Sequence, residues 1–235
     1  MKRLPLAFGL VVLSLVAGCR SAASAPKTPA YTLVLIKTGP QSGKLGKEEN
    51  QRVFAGHFEN MERMANERKL LVAGPYGGER HDKSLRGIFI FDTGDRAQAT
   101  AWAETDPPTQ AGVFVLEYHD LRTDAPLIAQ LECDLDRTAK AQAEGRVTKP
   151  GEGARGYVLL TAEHGDLAHR ELADLVAAKR VYMLADLDAG RAFAILDAKD
   201  LAAAHELLGP RAERLGSHTL DEWFASDCLE ILAGG

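Results

Sequence analysis

The first half of the chain alternates short apolar runs with longer segments in which apolar residues recur every few positions. The short runs are typical of strands, and the recurring spacing is typical of amphipathic helices. The order of these segments over residues 31–122 predicts one β-α-β-β-α-β unit. The predicted strands are 31–36, 70–73, 88–91 and 113–118, and the predicted helices are 48–69 and 95–105.

Residues 156–235 repeat this order of segments with shorter connections. The predicted strands are 157–160, 181–184, 193–196 and 223–232, and the predicted helices are 169–180 and 200–209. The length differences fall in loops and at helix ends, where a duplicated fold tolerates them. We therefore predict a tandem repeat of 31–122 and 156–235, joined by a polar linker over 123–155 that contains a candidate short helix at 127–136. The anchors that match between the copies are Tyr31 and Tyr157, Asp95 and Asp200, and Pro107 and Pro210.

Each predicted unit would bury only one face of its sheet by itself. A β-α-β-β-α-β unit folds as a four-stranded antiparallel sheet with both helices on one face. The opposite face is left uncovered, and two such sheets can cover each other. The expected fold class is α+β, with two tandem ferredoxin-like units packed sheet to sheet as an intramolecular pseudo-dimer.

The N-terminal segment has the composition of an export signal. Two basic residues precede an apolar stretch over 4–17, which is too short to cross a hydrocarbon core of about 30 Å as a helix. Residues 16–19, Val-Ala-Gly-Cys, resemble a bacterial lipobox, which implies lipid attachment at Cys19. We expect a lipoprotein signal peptide (1–18), a tether (19–30) and a lipid anchor in the cell envelope. Because arginine and not aspartate follows the cysteine, we expect the outer membrane, facing the periplasm. The alternative is an ordinary secretory signal with an incidental cysteine.

Two further cysteines remain once Cys19 carries lipid. Cys133 and Cys228 are an even pair in an oxidising compartment, and they are therefore a candidate disulfide. Such a bond would tie the linker to the last predicted strand. The sequence gives no distance between the two thiols, so two unpaired buried cysteines are the alternative.

Charge and motif spacing disfavour several classes of ligand. The net charge is −5 and no basic stripe occurs, so a nucleic-acid partner is not expected. The seven histidines lack the paired spacing of a zinc site. The loop over 39–45 resembles a phosphate-binding loop, but only three residues separate its glycines, and Leu45 stands where a serine or threonine would bind magnesium. We therefore predict no metal and no cofactor.

Four features of the first unit occur together in a characteristic order. They are His57 in the first helix, Lys-Leu-Leu-Val-Ala-Gly-Pro at 69–75, Ala-Trp-Ala-Glu-Thr-Asp-Pro at 101–107 and Ala-Gly-Val-Phe at 111–114. In order and spacing they resemble the YCII-like (YciI-like) domains of the dimeric α/β-barrel superfamily. The resemblance implies a ferredoxin-like fold that pairs across sheets, with a His and an Asp as site residues. It also implies, for some members, acid–base chemistry on small ring compounds.

His57 and Asp106 are the candidate catalytic residues. His57 shares the apolar stripe of its helix with Phe54 and Met61, so it is expected to face the sheet. An imidazole there is either a general base or a core side chain with satisfied hydrogen bonds. Asp106 is expected at a helix C-terminus, where the helix dipole disfavours a carboxylate, or simply as the start of an Asp-Pro turn. If the two side chains meet, the carboxylate would fix the tautomer of the imidazole.

The second unit lacks both candidates. In the alignment of the two copies, Ala168 stands in place of His57 and Gly209 in place of Asp106. A purely structural role would predict similar residues in both copies, so the asymmetry favours one site, in the first unit. His169 is one position out of register, which leaves a shifted second site as the alternative.

The segment after the second strand is a weaker ligand-binding candidate. Gly74, Pro75 and Tyr76 could bring backbone amides close to a ligand, or they could simply end the strand. His81 and Asp82 in the following loop are either part of the site or a solvated pair.

Three functional hypotheses follow from these residues. The first is acid–base catalysis on an unknown small molecule, of the isomerase, lyase or dehydrochlorinase type, in which His57 moves the proton and Asp106 orients it. The second is a non-catalytic envelope lipoprotein that binds a ligand or a partner through the same cleft. The third is a purely structural lipoprotein. The sequence does not decide whether the protein is an enzyme.

Overall fold

The structure, a computed structural model, describes residues 30–147 and 151–234. The predicted signal peptide, Cys19 and all but the last residue of the predicted tether lie outside the described residues. Within the described ranges, no helix is both long enough and apolar enough to cross a membrane.

The first half of the molecule, residues 30–122, contains the six predicted elements and one additional short helix. Its strands are β1 (Ala30–Thr38), β2 (Leu70–Pro75), β3 (Leu85–Phe91) and β4 (Phe114–Arg122), and its helices are α1 (Lys47–Asn66), α2 (Arg96–Ala103) and α3 (Pro107–Gln110). Asp95 caps α2 as expected, because its carboxylate accepts hydrogen bonds from the amides of Ala97 and Gln98. β4 extends beyond its apolar run because backbone pairing with β1 continues to Arg122.

The second predicted helix is interrupted before Asp106. α2 ends at Ala103, and the separate helix α3 begins at Pro107, since proline is favoured in the first turn of a helix. Asp106 is the N-cap residue of α3. The placement of Asp106 at a helix C-terminus was wrong, and the dipole argument against a carboxylate does not apply to it.

Residues 123–147 and 151–234 contain four more strands, four α-helices and a 3₁₀ helix. The strands are β5 (Ala154–Ala162), β6 (Val181–Leu187), β7 (Arg191–Leu196) and β8 (His218–Ser226), and the helices are α4 (Leu127–Ala143), α5 (Gly165–Ala177), α6 (Leu201–Leu208) and α7 (Arg211–Arg214). α4 is longer than the short helix expected in the linker, and its Leu127 and Leu131 are buried. The predicted last strand was wrong at its end, because a 3₁₀ helix over Asp227–Gly234 follows β8 and buries Leu229 and Leu232.

All eight strands form one antiparallel sheet, in the order β2-β3-β1-β4-β6-β7-β5-β8. Within each half the strands have the relative order of a ferredoxin-like unit. β4 and β6 join the halves at Leu121 and Arg122, and the outermost strands β2 and β8 meet through a bridge between Tyr76 and Trp223. The sheet therefore closes on itself as a barrel. The sequence predicted two sheets packed face to face. In the structure their edges also pair, which satisfies backbone groups that exposed edges would leave unpaired.

The barrel separates an inner core from two outer cores. The inner cluster draws side chains from both halves, among them Leu33, Ile90, Phe193 and Trp223. One outer cluster, which includes Met64, lies between the first-half strands and their helices, and another lies between the second-half strands and theirs. The sheet faces that carry no helices in the predicted units are thus buried against each other inside the barrel.

A disulfide joins Cys133 of α4 to Cys228 of the 3₁₀ helix, with their Cα atoms 5.9 Å apart. The candidate pair is therefore bonded in this structure. The bond fastens α4 to the C-terminal end of the second half, beside the inner core.

Candidate functional site

His57 and Asp106 are in direct contact between α1 and the N-terminus of α3. His57 Nδ1 lies 2.6 Å from Asp106 Oδ1. The Asp106 side chain has no solvent exposure and the His57 side chain is 12% exposed. The hydroxyl of Thr109 donates a second hydrogen bond to Asp106 Oδ2, at 3.3 Å.

Two local features of the sequence bring these side chains together. The extended backbone of Asp106 turns the chain into α3, and the prolines that follow start that helix. Gly56, the residue before His57, lies against the ring of Pro107, and a Cβ at Gly56 would be 3.1 Å from Pro107 Cγ. A glycine in a helix interior costs about 1 kcal/mol relative to alanine. Its presence here is explained by the close approach of α3 to α1.

The contact favours one tautomer of the neutral imidazole. Asp106 can only accept in its ionised form, so Nδ1 of His57 carries the proton and donates it. Nε2 of the neutral ring is then the atom with a free lone pair. Among the residues that the structure describes, no side chain or backbone group hydrogen-bonds to Nε2. This is the arrangement of a general base whose tautomer is held by a carboxylate.

A cavity of about 440 Å³ adjoins the imidazole. Four aromatic rings surround His57, with ring centroids 5.4–6.2 Å from the imidazole: Phe54, Phe58, Phe89 and Phe114. All four also line the cavity, together with Met61 and Ile88. The site therefore presents one basic nitrogen in a largely apolar chamber of the size that small molecules occupy.

The weaker candidates after β2 divide between this cavity and the barrel interior. Gly74 and Pro75 line the cavity. Tyr76 does not, because its side chain packs against the inner core, where burial and the nearby Asp221 raise the pKa of its hydroxyl. Gly74 also has a structural role, since a Cβ there would lie 2.1 Å from the carbonyl oxygen of Phe224 on β8.

The remaining histidine candidates lie elsewhere. His81 contacts the buried carboxylate of Asp221 on β8 at 2.8 Å, and Asp82 accepts from the amide of Ser84. Neither lines the cavity beside His57. His169 pairs with Asp186 at 2.8 Å, and both side chains are largely exposed.

The second half has no equivalent of the dyad at the aligned positions. Ala168 is buried in the outer core of that half. Gly209 ends α6 with a positive φ of 50°, which a residue with a side chain rarely adopts. The structure thus fills these two positions with groups that carry no acid–base chemistry.

Arg86 is the residue at this cavity that sequence reasoning missed. It lies on β3 beside Gly87 and lines the cavity with His57. A single arginine next to a strand glycine carries no distinctive sequence signal. Gly56 did carry one, because a lone glycine inside a helical pattern usually has a packing reason.

A larger groove, of about 890 Å³, runs between α1 and α4. It contains Asp134, whose pKa is raised mainly by burial and which accepts hydrogen bonds from Ser226 and Gln130. An ion pair between Arg68 and Glu132 stands at this groove. Among the described residues that line the groove there is no histidine and no cysteine.

Over 30–147 and 151–234, no three His, Cys, Asp or Glu side chains are grouped so that they could hold a metal ion.

Comparisons with known proteins bear on the first half of the chain. A solved structure of aspartate kinase from Synechocystis is 11% identical, with a TM-score of 0.31, and the match covers 83% of this chain and 43% of the kinase. The chain thus spans less than half of that protein, and a likeness this weak supports no conclusion. No curated protein matches the chain. Residues 30–121, from β1 into β4, match the family model of the YCII-related domain.

Proposed function

We propose that the first half catalyses proton transfer on a small, largely apolar molecule, with His57 as the general base. The observation that carries this proposal is the 2.6 Å contact between His57 Nδ1 and Asp106, which leaves Nε2 unpartnered at the cavity. In these apolar surroundings the buried carboxylate of Asp106 interacts strongly with the imidazole once the ring carries a charge.

The proposed step moves one proton. Nε2 takes a proton from an acidic carbon of the substrate, so the C–H bond breaks, an N–H bond forms and the electron pair passes to an adjacent carbonyl group. Asp106 stabilises the imidazolium that results. Return of the proton to a neighbouring atom is an isomerisation, and departure of a leaving group is an elimination of the lyase or dehydrochlorinase type.

Hydrogen–deuterium exchange tests this step without knowledge of the natural substrate. Small ring ketones, lactones and keto acids are incubated with the protein in D₂O, and exchange at the acidic carbon is followed by NMR. Wild-type protein is expected to accelerate exchange for at least one compound, and His57→Gln is expected to reduce it to the buffer rate. His205→Gln, which changes an exposed histidine on α6, is the matched control. Equal exchange by wild type and His57→Gln would refute the role of His57.

Binding without turnover is the second candidate function. The observation that favours it is that the described residues lining the cavity include no carboxylate and no second histidine to assist His57 as an acid or base. A compound that binds in the cavity but never exchanges its C–H proton would support this alternative.

We also infer that the chain is a tandem repeat that acts as an intramolecular pseudo-dimer of the dimeric α/β-barrel type. The same strand order in both halves and the shared inner core support this inference. In this account the second half, a degenerate copy, covers the inner face of the first and retains no dyad.

A lipid-anchored location in the cell envelope is part of the same proposal. It is supported by the sequence of residues 1–19 and is consistent with the Cys133–Cys228 disulfide, since disulfides persist in oxidising compartments. Metabolic labelling with radioactive palmitate tests it. Wild-type protein is expected to take up label and Cys19→Ser to take up none, whereas equal labelling would contradict it.

A further inference from the structure

Arg86 is a cation without an anionic partner at the cavity that contains His57. Its side chain is exposed and lines that cavity. Across residues 30–147 and 151–234, no carboxylate pairs with it, whereas Arg155 contacts both Asp197 and Glu230, and Arg191 contacts Asp188. An exposed guanidinium without a carboxylate partner can bind an anion that enters the cavity.

The guanidinium is nevertheless held in place. Arg86 Nε donates to the hydroxyl of Thr38 at 2.7 Å, and that hydroxyl donates to the carbonyl of Ser84 at 3.0 Å. This bond uses the Nε–H alone and leaves both NH₂ groups of the fork available. A guanidinium fork matches the two oxygens of a carboxylate, and a fork that is already oriented loses less entropy on binding.

The rest of the cavity defines the body of the ligand. Phenylalanine rings and aliphatic side chains form most of its walls, and Phe58 among them is 52% exposed. A planar or branched apolar group fits such walls, and an aromatic ring of the ligand could stack on the phenylalanine rings. The described residues that line the cavity include no carboxylate that would repel an anion.

We propose that Arg86 binds the carboxylate of the substrate, so that this site takes a small apolar monocarboxylate and presents its carbon acid to His57. This inference rests on the proposed function, because it names the substrate class of the same site. Arg86 is a specificity residue in this scheme, and His57 remains the group that touches the proton.

A matched pair of probes tests the charge requirement. Phenylacetate and phenylacetamide have nearly the same shape, and only the first carries a carboxylate. Their affinities for the full chain are measured by NMR titration, for wild type, Arg86→Gln and Arg86→Lys. Arg122→Gln is the control, because Arg122 is an exposed arginine at the far end of β4.

Wild type is expected to bind phenylacetate about tenfold more tightly than phenylacetamide, as charge complementarity requires. Arg86→Gln is expected to remove that preference without weakening amide binding, Arg86→Lys to retain part of it, and Arg122→Gln to leave it unchanged. Equal affinity of wild type and Arg86→Gln for phenylacetate would overturn the proposal, and so would failure of both probes to bind wild type.

The two proposals, His57 as the base and Arg86 as the anion site, can be tested independently of each other. In one outcome, phenylacetate binding depends on Arg86 but deuterium exchange persists in His57→Gln. That outcome would support Arg86 as the anion site and refute His57 as the base. In the opposite outcome, exchange depends on His57 but phenylacetate binding does not change in Arg86→Gln. That outcome would support His57 as the base and refute Arg86 as the anion site.

Discussion

The carboxylate of Asp106 has no access to solvent and two hydrogen-bond donors, His57 and Thr109. A buried carboxylate costs free energy unless its oxygens are hydrogen-bonded, and the replacement of such a pair by apolar side chains is often neutral or stabilising. The second half uses Ala168 and Gly209 at the aligned positions. At the scale of single residues, stability does not require this pair, and the proposed base at Nε2 would give it a role.

Asp106→Asn is expected to lower the catalysed exchange rate by at least about 100-fold. The amide no longer fixes the proton on Nδ1 or stabilises the imidazolium, so the base is held in the wrong tautomer for part of the time. The rate is measured by the D₂O assay, with circular dichroism to verify folding. Asp120→Asn, which changes a carboxylate 64% exposed, is the control, and an unchanged rate for Asp106→Asn would contradict the role of the dyad.

At the scale of elements, two glycines determine how closely backbone segments approach. Gly56 allows α3 to lie against α1, which sets the distance between the two residues of the dyad. Gly74 allows β2 to approach β8 where the barrel closes. Neither position has a positive φ, so the requirement in both cases is space and not an unusual backbone conformation.

Gly74→Ala is expected to reduce the free energy of unfolding by about 2–3 kcal/mol, a typical cost of overpacking. The new Cβ would lie 2.1 Å from the carbonyl oxygen of Phe224, and a backbone atom cannot move aside without opening the β2–β8 contact. Urea denaturation measures the change. Gly78→Ala is the control, because no atom lies within 4 Å of a Cβ at Gly78, and equal stability of the two variants would contradict the argument.

At the scale of the whole molecule, polar contacts hold both lines along which the halves meet. On one line, Asp188 in the β6–β7 turn contacts His119 of β4 at 2.8 Å and the amide of Asp120 at 2.9 Å. On the other, His81 contacts Asp221 of β8. These contacts are between residues far apart in the chain, so they fasten the barrel and not a single element.

Asp188→Asn is expected to lower the free energy of unfolding at neutral pH by about 1–2 kcal/mol. Burial alone would raise the pKa of Asp188, but hydrogen bonds from His119, Arg191 and the amide of Asp120 lower it below its usual value. A carboxyl with a lowered pKa in the folded state stabilises the fold above its unfolded-state pKa of about 3.9. That contribution is lost as the pH falls through the folded-state pKa.

The measurement is urea denaturation of wild type and Asp188→Asn between neutral and acidic pH. The difference in stability is expected to be constant near neutrality and to shrink below about pH 4. Asparagine tolerates the positive φ of 48° at this position as aspartate does, so the backbone is not perturbed. A difference that does not vary with pH would contradict the electrostatic explanation.

Cys133→Ala with Cys228→Ala is expected to lower the free energy of unfolding by about 2–4 kcal/mol, because the bond closes a long loop of the unfolded chain. The two cysteines are 95 residues apart in sequence. Guanidinium denaturation under non-reducing conditions measures the loss. Probe binding beside His57 is expected to be unchanged, since the disulfide lies on α4 and the 3₁₀ helix, and a parallel loss of binding would contradict this separation.

Periodicity and spacing determined the elements of the first half, because each strand or helix has its own apolar pattern and its own stop signals. The same reasoning singled out His57, which shares the apolar stripe of α1, and Asp106. It placed Asp106 at the wrong end of a helix. An Asp followed by two prolines is compatible both with the end of one helix and with the start of the next, and the sequence alone does not distinguish the two. It also underestimated the length of α4. A half-buried helix contains many polar residues, so its apolar pattern is too weak to mark its full extent.

Only the tertiary structure decided which of these residues meet. The 2.6 Å contact of the dyad, the closure of the sheet through β2 and β8, the pairing of Cys133 with Cys228 and the position of Arg86 beside the cavity all join residues distant in the chain. Sequence patterns report the local preference and the burial of each residue, whereas contacts between distant residues depend on how the elements pack. For this protein the candidate base is therefore visible in the sequence, and the pocket and the cation that would select its substrate are not.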